Sequence, residues 1–253
     1  MIIRPVDTVM PATVVHSSRF TPPHLGRSHA FVFVTAFTAC ASFCVEHAPA
    51  HGTPPADSSP LFNGIDFDGW TMDGPSGGLA HRDGRPVWSV RDGEIVCDGS
   101  SWSFLRYSRQ PFSDFTLHVE FVMAENGNSG IGLRCREVDL TRVHQTRPSC
   151  WAYEIQLLDD AESKPTLFSS GSLYRYVAPR ESAMRPAGEW NTLDATCIGP
   201  RIRIVLNGRE IQDFDQTTLD ATKDKPLQGF VCLQNHGHPV RFRNVWIREE
   251  RVE

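Results

Sequence analysis

In WAYEIQLLDD, residues 151–160, Glu154 and Gln156 share one face of a strand-like run, while Tyr153, Ile155 and Leu157 share the other. A carboxylate beside an amide on a sheet face supplies a proton-transfer group next to a hydroxyl-binding group. Asp159 and Asp160 follow directly, and Asp159 is equally suited to capping a turn. In ENGNSGIGLRCR, residues 125–136, an i, i+2 count puts Arg134 and Arg136 on one face of a glycine-rich strand, where a cation would face the carboxylate across a polar cleft. The C-terminal run GFVCLQNHGHPVRFRNVWI, residues 229–247, begins as a continuous apolar strand and then presents Gln234, Asn235, His236 and His238 around Gly237. Polar groups on loops at strand ends are where sites accumulate.

Other chemistries lack their residues. There is no G-x-S-x-G elbow and no H-E-x-x-H pair, so serine-hydrolase and zincin readings have no support. Gly127, Gly130 and Gly132 are not followed by a helix; they are read as shaping a turn and a bulge rather than cradling phosphate. Asp159, Asp160, Glu154 and His236 would hold a divalent cation only if the fold gathers them, since no ligand spacing demands one. No cofactor is certain from the sequence.

The elements that must position these groups are strands. From Leu61 onward, short runs of β-branched and aromatic residues alternate with Gly, Pro, Asn and Asp, and nothing sustains a helical apolar period. FTLHVEFVM, residues 115–123, alternates cleanly, with Phe115, Leu117, Val119, Phe121 and Met123 on one face and a solvated face opposite. Asp92-Gly93, Gly199-Pro200 and Asn207-Gly208 mark hairpin turns. About eleven strands and no repeat of 40–50 residues give an all-β sandwich of two antiparallel sheets, a jelly roll with one open face.

The 253 residues carry a formal charge of −5, and the 25 Lys and Arg are scattered, which leaves no electrostatic footprint for nucleic acid. Residues 30–45 are an uncharged apolar run, short for a membrane span and of signal-peptide length, followed by Ala48-Pro49-Ala50 as a cleavage site. The expectation is a signal peptide over 1–50, a flexible linker over 51–60 and one domain over 61–250. The mature chain would be exported, periplasmic or secreted, with no membrane span. Phe37-Thr38-Ala39-Cys40 resembles a lipobox, which offers Cys40 as an alternative lipid anchor. Of the seven cysteines, Cys97, Cys135, Cys150, Cys197 and Cys232 would remain, with no C-x-x-C pair and at most one bridge expected.

LFNGIDFDGW (61–70), WSVRDGEIVCDG, GNSGIGLR, YEIQLLDD, GSLY (171–174), PAGEWNT (186–192), LNG (206–208) and LQNHGHPVRFRNVWI (233–247), in this order, resemble the 3-keto-disaccharide hydrolase family. The resemblance implies a concanavalin-like jelly roll and a sugar substrate already oxidised to a ketone at carbon 3. Such a ketone acidifies the hydrogen on carbon 2, so a base can remove it and the enolate can expel the group on carbon 1 before water adds back. Glu154 and His236 are then base and acid, with Arg134 or a metal stabilising the enolate. Asn128, Gln156, Tyr174, Trp190 and Gln234 are candidates for sugar contacts. The chain departs from the family at Asn235, where an Asp is usual, and in an extra segment, LTRVHQTRPSC (140–150). Two other readings stay open: a lectin-like module without catalysis, and a conventional two-carboxylate glycosidase using Glu154 with Asp159.

Overall fold

The computed structural model describes residues 54–74 and 84–250. The expected export segment, Cys40 and the first residues of the linker lie outside the described residues. Asp92-Gly93 and Asn207-Gly208 take left-handed φ values in succession, 52° and 78° in the first pair and 50° and 78° in the second. That is the type I′ geometry whose twist matches the flanking strands. They close the hairpins β3 (Trp88–Arg91) with β4 (Glu94–Cys97), and β10 (Arg201–Leu206) with β11 (Arg209–Asp215). Gly199-Pro200 turns β9 (Trp190–Ile198) into β10.

The remaining strands are β1 (Ser59–Pro60), β2 (Trp70–Asp73), β5 (Ser103–Phe112), β6 (Phe115–Met123), β7 (Asn128–Cys135), β8 (Tyr153–Leu158), β12 (Gly229–Asn235) and β13 (Val240–Glu249). All pairings are antiparallel. The larger sheet runs β11-β10-β9-β6-β13-β4-β3, with β1 against β13, and the smaller runs β2-β5-β12-β7-β8. The core lies between the sheets, where Trp88, Phe115, Phe121, Phe242, Ile155 and Leu233 exclude water. This is the two-sheet architecture expected. No described helix is long and apolar enough to cross a membrane.

β6 departs from the expected half-solvated strand. Its outward residues Thr116, Glu120 and Val122 are buried as well. Long side chains of β13 and β9 cover them: Arg243 Nε donates to Glu120 Oε2 at 2.7 Å, Trp246 stacks on His118, and Trp190 lies 3.7 Å below the Arg243 guanidinium.

β7 and β8 are joined by residues 136–152, including two four-residue helices, α1 (Val143–Thr146) and α2 (Pro148–Trp151). α2 packs against β7 and β8 on the face turned away from the core.

Candidate active site

Along β8, Tyr153, Ile155 and Leu157 enter the core, so Glu154 and Gln156 stand on the outer face of the smaller sheet. The 136–152 segment covers that face, and both side chains are buried there. Neighbouring strands leave them room. In register, Gly130 of β7 faces Gln156 and Gly132 faces Glu154. A methyl at Gly130 would lie 3.0 Å from Glu154 Cγ and 3.1 Å from its Oε1. Gly130 and Gly132 therefore sit inside a strand and clear space for side chains, while the expected turn falls at Gly127, whose N–H donates to Ala124 O, and the expected irregularity falls between Gly132 and Cys135, where the register against β12 shifts.

Gln234 of β12 aligns with Gly130, and across the gap its Nε2 donates to Glu154 Oε1 at 2.9 Å. Gln156 Nε2 donates to Asn128 Oδ1 at 3.3 Å. With their nitrogens so used, the side-chain oxygens of Gln156 and Gln234 are buried without a described partner. An amide oxygen left so costs free energy unless a ligand or water donates to it. Loop residues 171–174 pair along the free edge of β8, with Gly171 N donating to Gln156 O and Tyr174 N to Glu154 O, and this fixes Tyr174 at the pocket wall.

The pocket they enclose, with its mouth, holds about 320 Å³ and is also lined by Trp102, Arg147, Ser149 and His236. Glu154 is the one acidic side chain on that described wall. Burial pushes its carboxyl above its ordinary range, opposed by the Gln234 and Ser149 hydrogen bonds and by the charges of Arg147 and Arg175. Arg147 donates through Nε to the Cys150 sulfur at 3.2 Å, and no described carboxylate lies within ion-pair distance of it. Trp102 packs edge-on against Phe104, their ring centres 4.8 Å apart, and offers an aromatic wall. His236 stands exposed at the rim.

The structure thus brings Glu154, His236, Asn128, Gln156, Tyr174 and Gln234 together, and it separates five others. Arg134 lies fully buried at the opposite side of its strand, where Nε and Nη2 donate to Ser113 O and Nη1 to Gly199 O. The reason is backbone geometry: Arg134 has φ 53°, which breaks the strand alternation, so the i, i+2 count that paired it with Arg136 does not apply. Arg136 instead lies over the Trp151 ring. Trp190 belongs to the outer surface of the larger sheet, under Arg243. Asp159 and Asp160 serve turns, accepting from Asn126 N at 2.8 Å and Ser170 N at 2.9 Å. Among the described residues no three His, Cys, Asp or Glu side chains form a set able to hold a metal ion.

Three wall residues escaped the sequence reading. Arg147 and Ser149 come from the extra segment, where the run Arg-Pro-Ser-Cys gave the one available sign. Trp102 follows Ser100 and Ser101, two left-handed residues (φ 83° and 64°) that aim it at the pocket. Asn235, the departure from the expected Asp, is turned inward. Its Nδ2 donates to Ser100 O and Ser103 Oγ, and its Oδ1 accepts from Gly237 N, which pins the base of the His236 loop.

The sequence model of the 3-keto-alpha-glucoside-1,2-lyase-like domain matches residues 57–248. The chain belongs to that family. A 3-keto-disaccharide hydrolase of Bacteroides thetaiotaomicron is 26% identical over 234 residues, covering 74% of this chain and 77% of the relative. Among solved structures, a Parabacteroides distasonis protein named as a candidate glycosyl hydrolase superposes with a TM-score of 0.61 at 24% identity, over 77% of this chain and 94% of the other. The carbohydrate recognition domain of Emp46p superposes with a TM-score of 0.50 at 12% identity, over 77% of this chain and 97% of its own. At these identities the structural likenesses speak for the fold.

Proposed function

We propose that this protein cleaves glycosides whose sugar carries a ketone at carbon 3, by proton abstraction, elimination and hydration. The observation that carries the reading is Glu154: a single, desolvated carboxyl facing a small polar pocket that contains a cation but no second carboxylate. A conventional glycosidase needs two carboxyl groups flanking the bond, and Asp159 is committed to a turn. An elimination needs one base.

In this reading Glu154 removes the proton from carbon 2. Its raised proton affinity brings it toward the working pH and makes it a stronger base than an exposed carboxylate. Arg147 takes the role assigned from sequence to Arg134, its guanidinium balancing the charge that gathers on the enolate oxygen. His236 at the rim protonates the leaving oxygen as the bond at carbon 1 breaks. Water then adds across the carbon 1–carbon 2 double bond: its hydroxyl goes to carbon 1, its proton returns to His236, and Glu154 gives its proton back to carbon 2. The unpartnered oxygens of Gln156 and Gln234 accept sugar hydroxyls, and Trp102 and Tyr174 contact the ring faces. Export into the periplasm or medium would place the enzyme where such glycosides arrive.

The test is incubation with a 3-keto-glucoside and, separately, its unoxidised parent, following aglycone release. Release from the keto substrate alone, slowed by deuterium at carbon 2, supports the reading. Release from the parent would instead mark a conventional glycosidase. Sugar binding without release from either would mark a lectin-like module.

A further inference from the structure

Beside the pocket, the same face of the smaller sheet carries two thiols that the proposed chemistry does not use. Cys135 ends β7 and Cys232 lies in β12; each is 2% exposed, and their sulfurs are 3.1 Å apart. Backbone irregularities bring them together. The left-handed residue Arg134 returns Cys135 to the outer face, and a register shift between Phe230 and Cys232 slides the partner strand toward it. Gly132 supplies the space, since a methyl there would lie 2.4 Å from one sulfur, 2.5 Å from the other and 3.1 Å from Pro148 Cβ of α2. Cys97 and Cys197 are buried in the larger sheet, and Cys150 accepts from Arg147. Cys135 with Cys232 is the one thiol–thiol contact among the described residues.

We propose that Cys135 and Cys232 are a disulfide-forming site, oxidised by thiol–disulfide exchange while the chain folds, which ties β7 to β12 beneath α2. The sulfurs need to approach by about 1 Å to reach the ~2.05 Å of the bond. One cysteine thiolate attacks a disulfide RSSR, either a small-molecule disulfide or that of an oxidoreductase, and expels RS⁻. The second thiolate attacks the mixed disulfide and expels the other RS⁻. The two electrons reduce the reagent to two RSH, which take up the two thiol protons. Timing follows from burial, which in the folded protein pushes the Cys135 thiol well above its ordinary range and leaves little thiolate to react. In the unfolded chain both thiols are exposed. The staple would hold the strands that carry Asn128 and Gln234.

To test this, the full chain is reduced, denatured and refolded in a mixture of glutathione and glutathione disulfide, then trapped with N-ethylmaleimide in denaturant and mapped by peptide mass. A reducible cross-link between the Cys135 and Cys232 peptides is expected. Reduction should lower Tm by about 5–15 °C, the range for a native disulfide in a domain of this size. The Cys135→Ser, Cys232→Ser double variant should show a Tm that ignores reductant. Trapping of both residues as free thiols, pairing of either with another cysteine, or a cross-link whose reduction leaves Tm unchanged would each overturn the proposal. Trapping on the native chain alone decides the first two, whether or not the variant folds.

Discussion

Gly130→Ala tests whether the position of the Glu154 carboxyl, rather than its mere presence, matters. The added methyl would sit 3.0 Å from Glu154 Cγ and 3.1 Å from Oε1, against about 3.5–4.0 Å for a relaxed carbon contact. The carboxyl must therefore retreat by roughly half an ångström. Since a 1 Å misplacement costs on the order of 100-fold in rate, half of that corresponds to about tenfold in kcat/KM. Stability should hardly move: overpacking by one methyl costs ~1 kcal/mol, and the reduced freedom of the unfolded chain on replacing glycine returns about 0.4–1 kcal/mol. The backbone raises no objection, because Gly130 is not among the left-handed glycines. The assay is steady-state turnover of a 3-keto-glucoside alongside thermal unfolding. A variant within twofold of the native kcat/KM with an unchanged Tm would refute the claim that Glu154 geometry limits the reaction.

Glu154→Gln should lose at least about 100-fold in activity, the low end for a general acid–base group. The same variant has a pH signature. Because burial raises the folded-state proton affinity above the ordinary 4.5, the native protein is most favoured below that value and loses stability as pH rises through the folded-state value. The glutamine has no charge to bury, so its Tm advantage should widen with rising pH; an advantage that narrows would contradict the assignment. Arg134→Met removes donors from the carbonyls of Ser113 and Gly199 and should cost about 2–3 kcal/mol, read by denaturant unfolding, with activity of the folded fraction retained. A loss of activity without loss of stability would return Arg134 to the pocket. Asn235→Asp forfeits donation to Ser100 O and Ser103 Oγ and should cost about 1–3 kcal/mol while changing kcat/KM less than twofold. A gain in activity would show that an acid at this position works in the chemistry.

The sandwich was legible because its signals are local. Asp92-Gly93 and Asn207-Gly208 dictate their turns, and alternation in β8 sends Glu154 and Gln156 to the face where they are found. Of the candidate site, Glu154 and Gln156 were legible because alternation holds in β8, whereas Gln234 was read as part of a polar loop at a strand end and lies inside β12. Alternation failed where one residue resets the backbone: at Arg134 a single positive φ reverses a side chain that counting had aimed at the pocket. Trp190 failed for a different reason, because periodicity assigns a face to a residue but not a sheet. Arg147 and Ser149 were hidden in a segment without periodicity, which packs over β7 and β8.

Arg134 also bears on the order in which the molecule assembles. Its two acceptors belong to the β5–β6 turn and the β9–β10 hairpin, 21 and 65 residues away along the chain. Contacts that reach so far along the chain predict that the guanidinium docks late in folding. Loss of Arg134 should accordingly leave the refolding rate near its native value and appear as faster unfolding. On that outcome, the residue that counting aimed at the pocket would act as a latch, setting how long the sandwich stays closed.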